Sequence, residues 1–428
     1  MWIDNLFDSL SNIKERLWRK RRELSYVAGM TYATFGVYFL SQTLLARLLG
    51  TVNYGIYVSS LAVLALIEVP LVLRAAEVSM RQLGRHMQNF EGNIVSVSRR
   101  LLREDVNYFL FSTILTIAAS GWLSTLTGGD HSFFIILSLL IPAQIGYGIF
   151  KSYFLIFDIV PIIVRFEFVC ALTLLVTTTI GYVALGMHGL ATGYVVAMLL
   201  KTLLAYIFTR SHIPLRHGTG NYAKASSNHN DSFHSIFRNL CSNGINQVDI
   251  IILAALQGPH VVAIYKAAKS LSALPTKLSQ PVWRYLQPKL LQAIQSDDRF
   301  KIQKIIFHGA VVLVVILVVV LLIALFAGQK IIALVYGQDY VQSYIPFLIL
   351  LLGVWTFNGL TGWFKFWSVV SDSQRFSAGI YLSMLLTFGV IGYLFGSAGA
   401  TEMAFTLSGV FIVFSALIAL KVLVIRNR

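Results

Sequence analysis

Residues 45–57 read Leu-Ala-Arg-Leu-Leu-Gly-Thr-Val-Asn-Tyr-Gly-Ile-Tyr. An apolar run ends at Leu49, Gly50 to Asn53 form a turn, and a second apolar run starts at Tyr54. Gly50 and Gly55 supply the backbone freedom that a tight reversal needs. The stretch reads as a membrane helical hairpin with an uncharged tip. It recurs 208 residues later, where residues 253–265 read Leu-Ala-Ala-Leu-Gln-Gly-Pro-His-Val-Val-Ala-Ile-Tyr. At that offset Leu45, Ala46, Leu48, Gly50, Ile56 and Tyr57 meet Leu253, Ala254, Leu256, Gly258, Ile264 and Tyr265. A weaker echo at nearly the same offset pairs Gly189-Leu-Ala-Thr with Gly399-Ala-Thr. Apolar helices resemble one another by chance, but two echoes near half the chain length favour a duplicated half.

Composition sets the class. The chain has 428 residues, 56% of them hydrophobic and 12% charged, with mean hydropathy +0.71. A soluble domain is about one-quarter charged, so this is an integral membrane protein. Cys170 and Cys241 are the two cysteines, and both fall in or beside apolar runs, so no disulfide framework or cysteine-based metal site follows. The net charge of +15 points first to cytoplasmic loops and anionic lipid, and then to an anionic substrate.

Twelve spans fit the sequence at about 20 mostly apolar residues each: 27–49, 54–73, 106–125, 133–150, 162–185, 190–207, 236–256, 261–286, 306–326, 343–367, 376–395 and 402–420. The expected fold is all-α, a polytopic membrane protein of about 12 transmembrane helices in two six-helix lobes. Residues 1–26 form a basic amphipathic arm on the cytoplasmic leaflet, without a signal-peptide h-region. Residues 27–207 make the N-terminal lobe, 208–235 a polar cytoplasmic linker, and 236–428 the C-terminal lobe. Loop 74–105 is amphipathic and reads as a surface helix. With the N-terminus inside, the outer turns hold a single basic residue, Lys330, and the inner segments hold 24. That asymmetry places both termini in the cytoplasm and the chain in the cell inner (cytoplasmic) membrane.

Two sets of residues resemble a known family. Ala46-Arg47-x-Leu49-Gly50 followed by Tyr54-Gly55-x-Tyr57 is similar to the first helical hairpin of the oligosaccharide flippases, the Wzx-type polysaccharide and O-antigen translocases. So is Asp249-Ile-Ile-Ile-Leu-x-x-Leu-x-Gly258 followed by Ile264-Tyr265-x-Ala267-Ala268. That family belongs to the multidrug/oligosaccharidyl-lipid/polysaccharide exporter superfamily. Many relatives carry a Gly near the end of the second helix, where this chain has Leu71, Val72, Leu73 and Arg74. The resemblance implies a V-shaped bundle with a central cavity. It also implies movement of a polyprenyl-diphosphate-linked oligosaccharide from the inner to the outer leaflet by alternating access.

Charges inside the membrane are costly and by default face a cavity or a partner. Arg238, Ser242, Asn246 and Asp249 share one face of the seventh span, and Lys266, Lys269, Ala273 and Lys277 share one face of the eighth. Asp249, Lys266 and Lys269 all lie about 8–12 Å below the outer turn at roughly 1.5 Å per residue. An Asp249–Lys269 or an Asp249–Lys266 contact follows, either as a structural ion pair or as a coupling site where a proton or cation competes. Arg47 lies three residues from the outer turn, within snorkelling distance of the headgroups. Lys201 is too deep for that. The candidate substrate pathway is therefore Arg47, Lys201, Arg238, Lys266, Lys269 and Lys277, with Asp249 and Asn246 as the coupling or ion-pair residues. Basic residues outnumber acidic ones in the spans, which suits a diphosphate or an acidic sugar.

Expected partners are the lipid-linked oligosaccharide, anionic membrane lipid, and a polysaccharide polymerase with its assembly proteins; nucleic acid is not expected. No phosphate-binding glycine loop, metal-spaced His cluster or nucleophile motif occurs, so neither an enzyme nor a cofactor or metal is expected. A drug or cation antiporter of the same architecture is the alternative, opposed by the basic lining. A non-transporting component of polysaccharide assembly is a third reading, opposed by the polar stripes on spans seven and eight.

Overall fold

The computed structural model describes the chain apart from residues 1, 89–93, 157–159, 213–228, 297–298, 365–373 and 425–428. Side chains 1–24, 81–98, 155–161, 211–236, 238, 278, 280–281, 284–285, 288, 291–292, 294–295, 299, 374–377 and 421–424 also lie outside the described residues. The side chains of the basic arm, most of those of loop 74–105, most of the linker 208–235 and Lys365 fall among these.

Every described regular element is helical. The helices are α1 (Trp2–Gln88), α2 (Ile94–Ala118), α3 (Ser120–Thr127), α4 (His131–Ser138), α5 (Leu140–Ala143), α6 (Tyr147–Ile156) and α7 (Val160–His212). They are followed by α8 (His229–Gln257), α9 (Pro259–Gln295), α10 (Arg299–Val335), α11 (Tyr344–Val354), α12 (Gln374–Phe395) and α13 (Ala400–Val424). Loop 74–105 is mostly helix continued from its neighbours, since α1 runs on to Gln88 and α2 starts at Ile94.

Six helical stretches are long and apolar enough to cross a membrane, and two bent pairs within α2–α6 each qualify as one more. Two of the six, Ser25–Met80 and Ile162–Arg210, have 56 and 49 residues, over twice the ~20 of one crossing. Each is broken near its middle. In α1 the break is Gly50, at φ 68° and ψ 176°; in α7 it is Leu185 and Gly186. α8 and α9 fall short on apolarity because they carry the polar stripes, yet at 29 and 37 residues they are long enough to cross. Counted this way, the chain is an all-α membrane protein of about twelve spans. Gly258, at φ 81°, joins α8 to α9. Gly50 and Gly258, the paired glycines of the two echoing stretches, thus both sit in the left-handed region where a side chain costs energy.

The described chain forms two compact units. Unit 1 comprises residues 1–42, 75–111 and 139–225. Its tightest packing is inside α7, where the two arms cross in backbone contact: a Cβ on Gly189 would lie 1.9 Å from the carbonyl oxygen of Gly181. Small residues at such crossings let helices approach where lipid offers no hydrophobic drive. Unit 2 comprises residues 43–74, 112–138 and 226–428. One core there gathers Trp283, Leu290, Leu313, Trp355, Trp363 and Phe364. After α11 the helix loosens into a π-helical turn, Trp355–Leu360, and the indole N–H of Trp283 donates to the Gly359 carbonyl at 2.6 Å. Outward, α10 exposes Val314, Val315, Val318, Val319, Leu322 and Phe326, an apolar surface that lipid covers.

Candidate functional site

α8 is helical through the stripe because Gly244 is its only glycine and no proline falls between His229 and Gln257. Its 3.6-residue period lines up Ser242, Asn246 and Asp249. On α9, Tyr265 and Lys269 are one turn apart and also share a face. The two helices meet at Asp249.

The Asp249 carboxylate is fully buried. Its Oδ1 accepts the Ile250 backbone N–H at 2.9 Å. Its Oδ2 accepts the Tyr265 hydroxyl at 2.7 Å and the Lys269 ammonium in a short charge-assisted bond. Lys269 also donates to the Asn246 carbonyl at 2.8 Å. The pair is nearly dry, with side-chain exposures of 14% for Lys269 and 0% for Asp249. Both charges are compensated, which is the condition under which a buried pair persists. Asn246 turns its amide to the Ser242 carbonyl at 2.9 Å and is exposed. Asn243, beside the stripe, donates to the Ala65 carbonyl at 2.6 Å, tying α8 to the second arm of α1.

Of the two lysines level with Asp249, the structure joins Lys269. Lys266 is partly buried, and among the described residues no carboxylate lies within ion-pair distance of it. The cluster Lys266, Lys269 and Asp249 therefore holds one ammonium in excess. Lys277, two turns further along α9 from Lys269, is partly buried as well. Arg238 stands on the α8 stripe, but its side chain lies outside the described residues.

Arg47 is not in this cluster. Its guanidinium donates to the Val335 carbonyl at 2.9 Å and to the Leu334 carbonyl, the last residues of α10. A cation on the unsatisfied carbonyls of a helix C-terminus is favourable. Lys201 belongs to unit 1, where its Nζ stands 4.0 Å from the centre of the Tyr147 ring, a cation–π contact. Close by, Lys151 pairs with Glu167 at 3.5 Å, with side chains 40% and 35% exposed. The candidate residues with described side chains thus fall into four places: Asn246, Asp249, Lys266 and Lys269 together, Lys277 two turns further along α9, Lys201 in unit 1, and Arg47 at the end of α10.

Two participants escape the sequence reading. Tyr265 enters there as part of the echoed turn rather than as a donor to Asp249; its spacing of four residues from Lys269 is the signal that was available. Tyr147 carries no sequence signal, because one buried tyrosine in an apolar helix looks like any other.

Comparison with known proteins follows this geometry. A family model described as "Polysaccharide biosynthesis protein" matches residues 157–345, which include α8 and α9. No curated protein sequence matches the chain. Among solved structures, the lipid II flippase MurJ in an inward closed conformation superposes with TM-score 0.72 at 14% identity, covering 92% of this chain and 87% of that one. A multidrug resistance MATE family transporter of the MOP superfamily, inward-facing, gives 0.62 at 11% identity, covering 92% and 95%. A MOP superfamily transporter from Pyrococcus furiosus gives 0.61 at 12% identity, covering 95% and 96%. The resemblance first carried by two short hairpin motifs thus extends over the whole fold: the chain shares the fold of the lipid II flippase and of the two MOP superfamily transporters, and its central residues match the polysaccharide-biosynthesis model.

Proposed function

We propose that the chain moves an anionic, polyprenyl-diphosphate-linked oligosaccharide from the inner to the outer leaflet of the cytoplasmic membrane. Its termini are cytoplasmic, and two six-helix lobes, 27–207 and 236–428, alternate access to a basic path. One observation carries the reading. Asp249 neutralises Lys269, so Lys266 is an intramembrane ammonium with no carboxylate partner among the described residues. A buried cation is costly unless something compensates it, and a diphosphate passing α9 supplies that compensation. A cationic drug would meet repulsion at the same place. The family match over residues 157–345 supports a saccharide cargo, and the fold shared with a lipid II flippase supports a lipid-linked one.

In this reading Lys266 receives the anion, Lys277 continues the cationic face along α9, Lys201 offers a separate cation within unit 1, and the Asp249–Lys269–Tyr265 network holds Lys266 at its depth. Anionic lipid meets the basic inner segments, and a polysaccharide polymerase takes the product on the outer side. The test is a strain lacking the chain, complemented with variants at equal membrane level. Lys266→Ala is expected to lower surface glycan about tenfold, matching the ~1.4 kcal/mol of one lost charge-assisted contact, while lipid-linked precursor accumulates inside. Lys266→Arg keeps the charge and retains most export. Normal glycan with no precursor build-up in Lys266→Ala overturns the assignment.

A further inference from the structure

α10 is longer than the membrane it crosses. Its 37 residues rise about 55 Å, against ~30 Å of hydrocarbon. One face packs on α9, where Ile302, Ile306 and Leu313 share a core with Leu290 and Ala293. On the opposite face Phe300, Lys304, Phe307, Val311, Val315 and Val318 follow at helical spacing, and all are exposed. The valines belong to the surface that lipid covers, so this stripe runs from the lipid face straight into a basic segment. Residues 299–308 hold Arg299, Lys301 and Lys304 and no acid, with Asp297 and Asp298 just before them in the sequence. The other end of the helix gives the depth. From Lys304 to Lys330 α10 rises about 39 Å, close to the ~40–45 Å of a bilayer with its headgroups. Lys304 therefore stands at one headgroup layer when Lys330 stands at the other. Phe300 and Phe307 flank Lys304 and are 77% and 66% exposed. The Phe307 ring meets the His308 ring edge-on, with centres 6.2 Å apart. His308 Nδ1 donates to the Lys304 carbonyl at 2.6 Å, which fixes this aromatic pair one turn from the ammonium. Lys301 is exposed one turn before Lys304, and among the described residues no carboxylate lies within ion-pair distance of Lys304.

We propose that this end of α10 is a binding site for one anionic phospholipid of the inner leaflet: Lys301 and Lys304 hold the headgroup phosphate, and Phe307 with the valines beyond it packs an acyl chain. Charge alone would admit a free phosphate or an acidic protein. Continuity selects the lipid, because the apolar half of the same stripe already lies in hydrocarbon, and a molecule with a phosphate at one end and a chain at the other fills both halves. Lysines beside a membrane are drawn to an anionic leaflet, and Phe300 then lies against headgroups rather than in water. The bound lipid braces the α9–α10 pair, and with it the helix that carries Lys266. The inference deepens the anionic-lipid contact proposed above. Its leaflet rests on the proposed cytoplasmic termini; the lipid site itself rests on neither the topology nor the cargo.

The test uses the full-length chain in nanodiscs that carry a trace of phosphatidylglycerol with a photoactivatable acyl chain. Adducts are mapped by peptide mass spectrometry. They are expected on the 300–311 segment of α10, and a phosphatidylcholine with the same acyl chain is expected to leave far fewer. Lys301→Gln with Lys304→Gln is expected to cut the phosphatidylglycerol adduct there about tenfold. Lys301→Arg with Lys304→Arg is expected to keep it, and inorganic phosphate at the lipid's concentration is expected not to displace it. Equal adducts from the two lipids, an unchanged adduct in the Gln pair, displacement by phosphate, or an acidic protein held by these lysines in place of lipid overturns the proposal. If the Gln pair does not insert, the comparison of the two lipids on the wild-type chain decides. A second arm reads the leaflet. Ser296→Cys, exposed in the turn before α10, is placed in a Cys170→Ser, Cys241→Ser background. An impermeant maleimide is expected to label it only after the cells are opened, and labelling of intact cells overturns the inner-leaflet placement. Neither arm needs cargo, so both stand apart from the saccharide assignment.

Discussion

Units 1 and 2 each set a lysine near a tyrosine and a carboxylate inside the apolar spans, and they solve the charge differently. In unit 2, Lys269 bonds Asp249 directly, Tyr265 adds its hydroxyl to the same oxygen, and the pair is nearly dry. In unit 1, Lys201 stands over the Tyr147 ring, and Glu167 is bound by another lysine, Lys151, in a pair more than one-third exposed. The lesson is about what each arrangement costs to disturb. A dry pair is a commitment: removing one partner strands the other without water. A half-wet pair is screened, and losing it changes little.

The largest expected effect follows from the dry pair. Asp249→Ala leaves Lys269 buried and uncompensated, and is expected to cost about 3–5 kcal/mol of stability, read as a fall in melting temperature of the detergent-purified chain. Glu167→Ala in unit 1 is expected to cost at most about 1 kcal/mol. Equal shifts for the two variants would break the comparison. The double change Asp249→Asn with Lys269→Gln removes both charges and is expected to regain most of the loss, since a neutral amide pair carries no stranded ion. If that variant is stable but inactive in glycan export, Asp249 couples transport to an ion; if it is active, Asp249 only balances Lys269.

Smaller effects sharpen the contrast between the tyrosines. Tyr265→Phe deletes a hydrogen bond to a buried carboxylate and is expected to cost about 1.5–3 kcal/mol. Tyr147→Phe keeps the ring face that Lys201 uses and is expected to be near neutral, whereas Tyr147→Leu loses the cation–π contact, about 0.5–2 kcal/mol. Small too is the effect of Arg47→Gln, which removes a cation from the C-terminus of α10, about 0.3–1 kcal/mol and weaker in high salt.

Much of this arrangement was readable in the sequence. Span length and the two glycine turns gave about twelve spans, because a membrane demands both apolar length and a defined reversal, but not the 65° and 40° bends that break spans 106–125 and 133–150 into shorter helices. The stripes on spans seven and eight gave a face and a depth, which set Asp249 level with both Lys266 and Lys269. They did not choose between the lysines. Both reach the same depth, and the choice depends on how α8 and α9 are rotated against each other, which periodicity along one helix does not encode. Arg47 met the same limit. Its partner is the end of a helix 288 residues away in the chain, and backbone carbonyls have no sequence signature. The π-helical turn at Trp355–Leu360 was equally silent, since its residues read as an ordinary aromatic-rich span. Packing also cuts across chain order: residues 43–74 and 112–138 group with 226–428, although the repeat in the sequence runs half after half.

The central claim is the proposal that Lys266, an ammonium on α9 without an ion-pair partner among the described residues, draws an anionic lipid-linked saccharide through the chain. Its most direct test is reconstitution. Proteoliposomes containing the purified chain and a fluorescent polyprenyl-diphosphate-linked oligosaccharide report translocation as the fraction of lipid that an external quencher or hydrolase reaches over time. The account predicts translocation by the wild-type chain, a rate about tenfold lower for Lys266→Ala, and no uptake of a cationic dye by either. A Lys266→Ala chain that moves the lipid at the wild-type rate, or a wild-type chain that carries the dye and leaves the lipid in place, would contradict it.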